Sequence, residues 1–199
     1  MIGIVDYGLG NVRSVARALA SQGARPQLTA NYDELARSEG IVLPGVGAFA
    51  AALRNLESGN LGRGLVELAR KGKPLLGVCL GYQLLFEQSA EHGRHQGLGL
   101  LRGEVVEVSR AERLPVTGWC RLRQLEWSPL LAGVADDSYF YFVHSYTPEA
   151  SPDAVAAAHH TRAAAAGRLN VQGTQFHPEK SGAKGLQIYA NFLAMCGGG

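Results

Sequence analysis

Cysteine is scarce in this chain. Only Cys79, Cys120 and Cys196 occur among 199 residues, and no two stand in a C-x-x-C pair. So few scattered thiols exclude a disulfide framework or a thiolate metal centre, and they fit reduced thiols in a cytoplasm. Excess charge is lacking too: 19 Lys and Arg against 17 Asp and Glu leave +2, which argues against nucleic acid or an anionic membrane as main partner. No apolar run approaches the roughly 20 residues of a membrane span, and no basic segment precedes an apolar one at the start. No repeat or Ser/Pro-rich linker divides the sequence, so residues 1–199 are expected to form one domain, with 46% hydrophobic content for its core. No cofactor or metal is called for. Arg13 breaks the dinucleotide fingerprint begun by Gly8-Leu9-Gly10, and His92, His95, His159 and His160 follow no ligand spacing and read as surface or strand histidines.

What is present alternates between strand and helix. A strand over 1–6 leads into a helix capped by Asn11, with Val12, Val15, Ala16 and Leu19 on one face and Gly23 at its close. Strands over 26–29 and 40–43, a loop at 44–47, helices over 48–57 and 61–71, and a strand over 74–78 feeding a helix over 80–88 complete this half. The pattern predicts a parallel sheet covered on both faces. From Gly99 the expected strands (100–109, 117–125, 139–145, 155–160, 168–171, 174–176) have no long helices between them, so some are antiparallel. A helix over 184–196 closes the chain, with Leu186, Tyr189, Ala190 and Leu193 on one face, and 197–199 fray. Arg94, Arg110 and Arg113 read as solvated charges. The expected class is α/β, with a mixed, mainly parallel central sheet flanked by helices.

Two motifs carry chemistry. Gly77-Val78-Cys79-Leu80-Gly81, directly after Pro74-Leu75-Leu76, has the form of a nucleophile elbow, where a strand turns sharply into a helix and presents the central side chain. Side chains at the flanking glycines would clash with the turn, and the positive end of the helix faces the sulfur. A thiol so placed attacks a carbonyl carbon and forms a thioester that water cleaves. His177-Pro178-Glu179 supplies base and orienter: in an extended segment residues i and i+2 project to one side, roughly 7 Å apart, so Glu179 can take Nδ1–H and leave Nε2 towards the sulfur. Pro178 places the pair at a strand end. The oxyanion needs two N–H donors, assigned to Leu80, the residue after the nucleophile, and to Val46 in the loop Pro44-Gly45-Val46-Gly47. Glycines on both sides let the Val46 peptide rotate at low cost, and Gly45→Ala should then change turnover more than binding. Each motif alone has a plainer reading, a βα turn with a buried cysteine and an ordinary turn with a solvated acid. Their co-occurrence favours the triad. The aromatic run 139–146 reads as a core strand whose polar end, from His144, forms a rim or partner contact.

Five blocks (Asp6-Tyr7-Gly8-Leu9-Gly10-Asn11, 44–49, 77–86, 141–146 and 175–181) together resemble the class I, triad-type glutamine amidotransferases, a flavodoxin-like fold, over nearly the whole chain. The resemblance implies that Cys79 attacks the side-chain amide of L-glutamine, His177 protonates the departing ammonia and Glu179 orients His177. It also implies that Gln83 and Glu91 hold the amino-acid end of glutamine, helped by the backbone at Ser145 and Tyr146. The first and fourth blocks are similar to a branch that works as one subunit of a heterodimer, passing ammonia to a separate (β/α)8 cyclase subunit that serves histidine synthesis. Trp119, Tyr141, His144 and Lys180 would form the docking face. One stretch departs: Val116 and Cys120 stand where the family commonly has His and Asn. Two rivals stay open at this point, another amidotransferase or γ-glutamyl hydrolase with the same triad, and a non-catalytic module that keeps the fold.

Overall fold

The apolar opening run is buried throughout and forms β1 (Ile2–Val5). The computed structural model describes residues 1–109, 111 and 113–197, so Arg110 and the end at 198–199 lie outside the described residues. The chain continues through α1 (Val12–Ser21), β2 (Pro26–Thr29), α2 (Tyr32–Arg37), β3 (Gly40–Gly45), α3 (Phe49–Glu57) and α4 (Leu61–Arg70). Next come β4 (Leu75–Cys79), α5 (Leu80–Leu84), β5 (Gln88–Ser89), β6 (His95–Gln96), β7 (Glu104–Glu107), β8 (Val116–Gln124), β9 (Ser138–His144), β10 (Tyr146–Pro148), β11 (Ala154–Ala158), β12 (Thr161–Arg168), β13 (Val171–Thr174) and α6 (Gly182–Cys196).

Nine strands form the central sheet in the order β2-β1-β3-β4-β13-β12-β11-β8-β9. From β2 to β13 every pairing is parallel; from β13 to β9 every pairing is antiparallel. The sheet is therefore divided evenly, with a larger antiparallel share than the expected mainly parallel arrangement. Strands β10, β7, β5 and β6 make a smaller second sheet. Successive residues of a strand point to opposite faces, and the core divides accordingly. Leu76 and Val78 pack with Val15 and Leu19 of α1 and Ile188 and Phe192 of α6. Leu75 joins Leu35 of α2, Phe49 and Leu56 of α3, and Leu65 and Leu68 of α4.

Five local expectations change. Helix α2 was not anticipated between the strands at 26–29 and 40–43, although Asn31 marks it: its Oδ1 accepts the Glu34 N–H at 3.1 Å, with Asp33 and Glu34 in the first turn and Arg37 in the last. Asn11, the expected cap of α1, makes no side-chain capping bond. Helix α5 ends at Leu84 instead of running to 88, because the carbonyls of Leu84, Leu85 and Phe86 accept N–H groups of Leu98, Leu100 and Gly99. The alanine-rich stretch 163–166 is strand β12, and the expected strand 168–171 instead spans the turn into β13. In α6 the buried face is Gly185, Ile188, Tyr189 and Phe192, offset from the stripe predicted.

Candidate active site

Cys79 closes β4 and begins α5, with φ +55° and ψ −111°. An L-residue held there stores roughly 1–3 kcal/mol of backbone strain. The neighbouring glycines make the turn feasible through close approach: a Cβ on Gly77 would lie 2.7 Å from the Tyr82 Cα, and one on Gly81 would overlap the Leu43 carbonyl oxygen. Gly45 lies opposite Cys79 in the ladder and Thr174 opposite Val78, so the segments following β3 and β13 flank the sulfur. This is the carboxyl edge of adjacent parallel strands, where open α/β sheets bind ligands.

His177 follows β13, and its backbone N–H donates to the Tyr141 carbonyl at 2.9 Å. The ring Nδ1 meets Glu179 Oε1 at 2.9 Å, both side chains almost fully buried, and the Tyr189 hydroxyl of α6 donates to the other oxygen of Glu179 at 3.4 Å. The contact is made across a short 3-10 turn, Pro178–Lys180, and not along the extended strand end predicted. Nε2 is buried with no hydrogen-bond partner among the described residues. Burial pulls the imidazolium down, but the neighbouring Cys79 on one side and the hydrogen-bonded Glu179 on the other outweigh it and raise His177 to about 10. The Cys79 sulfur lies 3.8 Å from the Val143 carbonyl oxygen and 3.9 Å from Gln175 Nε2.

Cys79 and His177 open onto a pocket of about 330 Å³ whose walls include Val46, Gly47, Leu80, Gln83, Glu91, Ser145 and Tyr146. All the predicted oxyanion and substrate positions therefore converge on the sulfur. A larger cleft of about 840 Å³ between α3, α4 and Leu98 carries no thiol, hydroxyl or imidazole. The Gln83 amide donates to the Tyr146 carbonyl at 2.6 Å and to Gln175 Oε1 at 3.1 Å, which commits both its N–H bonds. Glu91 Oε2 accepts the Phe49 N–H that opens α3, at 2.8 Å. What these two side chains still offer is acceptor oxygen, suited to an ammonium group. Gly45 is not the free hinge expected: a Cβ there would fall 2.7 Å from the Gly81 nitrogen and 2.7 Å from Tyr7 Oη. Gly45→Ala therefore probes packing, while Gly47, at φ +100° in open space, carries the conformational freedom.

On the outer face, Trp119 is 54% exposed and meets Tyr141 edge-on at 6.1 Å, with the Lys180 ammonium 5.7 Å from the Tyr141 ring centre. His144 does not join them. Along β9 exposure alternates, so Tyr139 and Tyr141 face out while Phe140, Phe142 and His144 face in. His144 is 7% exposed and lines the pocket instead. Val116, opposite His144 in the ladder, and Cys120 occupy less exposed positions of β8 than Trp119. His92 is exposed, as its surface reading expects, and it stands at the pocket wall. Gln175, buried between Gln83 and Cys79, was not anticipated, although its position two residues before His177 could have flagged it.

The rings of His144 and His160 lie 4.8 Å apart. Burial first, then neighbouring histidines, lower His144 to about 3 and His160 to about 4. Because these values lie below the ordinary 6.5, both histidines contribute full stability above pH 6.5 and lose it as the pH falls towards 4 and then 3. Each histidine should remove up to roughly 1.4 kcal/mol per pH unit in that window. His177 is raised, so its contribution is complete below pH 6.5 and fades towards pH 10. Urea midpoints measured between pH 7 and 5 should fall more steeply for the wild type than for His160→Phe. Equal slopes would refute the assignment.

A cysteine on a strained strand-to-helix turn, sharing a pocket with a buried histidine that is itself bonded to a buried carboxylate, is the arrangement of a thiol-dependent acyl-transfer hydrolase on an α/β fold. The chain belongs to the class I glutamine amidotransferases and, within them, to the family of the imidazole glycerol phosphate synthase subunit HisH. The family described as "Glutamine amidotransferase class-I" matches residues 3–196. The HisH subunit of Desulfitobacterium hafniense is 46% identical over 196 residues, covering 96% of this chain and 93% of the relative. That of Methanosarcina mazei is 42% identical over 199 residues, covering 97% and 98%. Among solved structures, a glutamine amidotransferase matches with a TM-score of 0.79 over 98% of both chains at 17% identity. PurLQS from Thermotoga maritima matches at 0.77 over 97% of both chains at 22% identity, and at such identities these two likenesses speak for the fold alone.

Proposed function

We propose that this chain is the glutaminase subunit of an imidazole glycerol phosphate synthase: it hydrolyses L-glutamine to glutamate and ammonia and supplies the ammonia to a separate (β/α)8 cyclase subunit. The observation that carries the reading is that Cys79 and His177 line one pocket while Glu179 holds His177 from behind at 2.9 Å. Cys79 attacks the side-chain amide carbon. The tetrahedral oxyanion takes the N–H groups of Leu80 and Val46, aimed donors of a kind worth roughly 3–4 kcal/mol each in the transition state. His177, charged and held by Glu179, gives its proton to the departing nitrogen, then takes one from the water that cleaves the γ-glutamyl thioester. The acceptor oxygens of Gln83 and Glu91 receive the substrate's ammonium, and the backbone at Ser145 and Tyr146 lines the same end. Trp119, Tyr141 and Lys180 form the docking face, an exposed aromatic cluster with one cation. No helix of the described residues is long and apolar enough to cross a membrane.

Coupling tests the reading. Ammonia release from glutamine should rise severalfold or more when the cyclase subunit and its nucleotide ligand are added, and Trp119→Ala should blunt that rise. Turnover unchanged by the partner would point instead to a free-standing hydrolase with the same triad.

A further inference from the structure

Tyr7 is 7% exposed, stands just beyond β1, and is absent from the chemistry described so far. The β1–β3 ladder ends at Val42. Two residues further along β3, the Tyr7 hydroxyl donates to the Pro44 carbonyl at 2.9 Å. The same hydroxyl sits over Gly45, where a Cβ would be 2.7 Å from Tyr7 Oη on one side and 2.7 Å from the Gly81 nitrogen on the other. The end of β3 is thus held between a tyrosine and the first turn of the elbow helix. Tyr7 is itself anchored: Asn55 Nδ2 of α3 donates to its carbonyl at 2.9 Å. Gly10, at φ +129°, brings the rest of the turn to about 3.5 Å from Pro44 and Gly45 as measured from its ideal Cβ. Burial, and then the nearby Cys79, push the phenol far above its usual range, so it keeps its proton and remains a donor.

We propose that Tyr7 is a positioning residue for the reaction: its hydroxyl fixes the peptide that follows Pro44, and with it the next peptide, which carries the Val46 N–H. The inference rests on the reading of Val46 as an oxyanion donor. It gives the glycine-rich turn at 7–10, useless for a dinucleotide, a task at the active site. Alkylation of Cys79 by iodoacetamide needs the thiol but no oxyanion donor, so it separates positioning from general integrity.

In the complex with the cyclase subunit, Tyr7→Phe should lower kcat for glutamine hydrolysis by between about threefold and tenfold, as expected for one neutral hydrogen bond. KM and the alkylation rate should stay within twofold. Asn55→Ala, which releases the Tyr7 carbonyl, should give the same split at smaller size and serves if Tyr7→Phe proves too unstable to assay. An unchanged kcat, or a parallel fall of turnover and alkylation, overturns the proposal. Val46→Pro, which deletes the N–H itself, tells the two readings apart. If it folds, alkylates normally and still turns over, Val46 is no oxyanion donor. If it loses roughly a hundredfold in kcat while Tyr7→Phe loses nothing, only the role of Tyr7 falls.

Discussion

Replacing Cys79 with alanine should lower glutamine hydrolysis by roughly 10⁴-fold or more, because the step it removes has no substitute in the pocket. Glu91 and the histidines there can move protons or accept hydrogen bonds, but none is placed on the elbow. Stability should respond in the opposite sense at this position. Cys79 sits at φ +55°, outside any helix or sheet basin, and its side chain is a small buried group. Cys79→Gly removes a strain of roughly 1–3 kcal/mol and gives up little packing, so its melting temperature should equal or exceed that of the wild type while ammonia release is lost. A glycine variant that melts several degrees lower would show that the turn is not strained as described. The pairing of lost activity with kept or increased stability marks a residue retained for chemistry.

Gly81→Ala should do the reverse and remove the fold itself, with a loss on the order of 4 kcal/mol or failure to accumulate in soluble form. Its new Cβ would overlap the Leu43 carbonyl oxygen and press on the Pro44 carbonyl carbon. Both are backbone atoms of β3, and β3 is fixed by its ladders to β1 and β4. No rotamer change can relieve such a contact, so β3 and α5 must separate. Gly47→Ala is the control. That glycine has φ +100° but open space around its Cβ position, so only the backbone penalty of roughly 1–2 kcal/mol applies. Urea titration of the two variants should therefore differ by about 2 kcal/mol or more, and equal losses would contradict the packing account of the elbow.

The elbow could be read from the sequence because its constraints are local: two glycines, an apolar strand before them and a nucleophile between. The His-Pro-Glu pair was legible for the same reason, although the turn that joins the two side chains differs from the strand end predicted. What escaped depends on contacts distant in the chain. Helix α5 stops early because residues 98–101 take its last carbonyls, which no pattern within 80–88 foretells. The alanines of β12 favour helix by propensity, yet they lie buried in mid-sheet between β11 and β13, with the Tyr82 hydroxyl bonded to the Ala163 carbonyl at 3.0 Å. His144 went to the wrong face through a parity that was available all along: Tyr141 and His144 are three residues apart on one strand and cannot share a side. Gln175 was available by the same rule, two residues before His177.

Acid-quenched wild-type protein, taken during turnover of glutamine and mapped by peptide mass spectrometry, tests the central claim most directly. A γ-glutamyl adduct on the peptide containing Cys79, none on Cys120 or Cys196, and neither adduct nor ammonia from Cys79→Ala is the predicted result. Ammonia release that survives in Cys79→Ala, or an adduct carried by another residue, would contradict it.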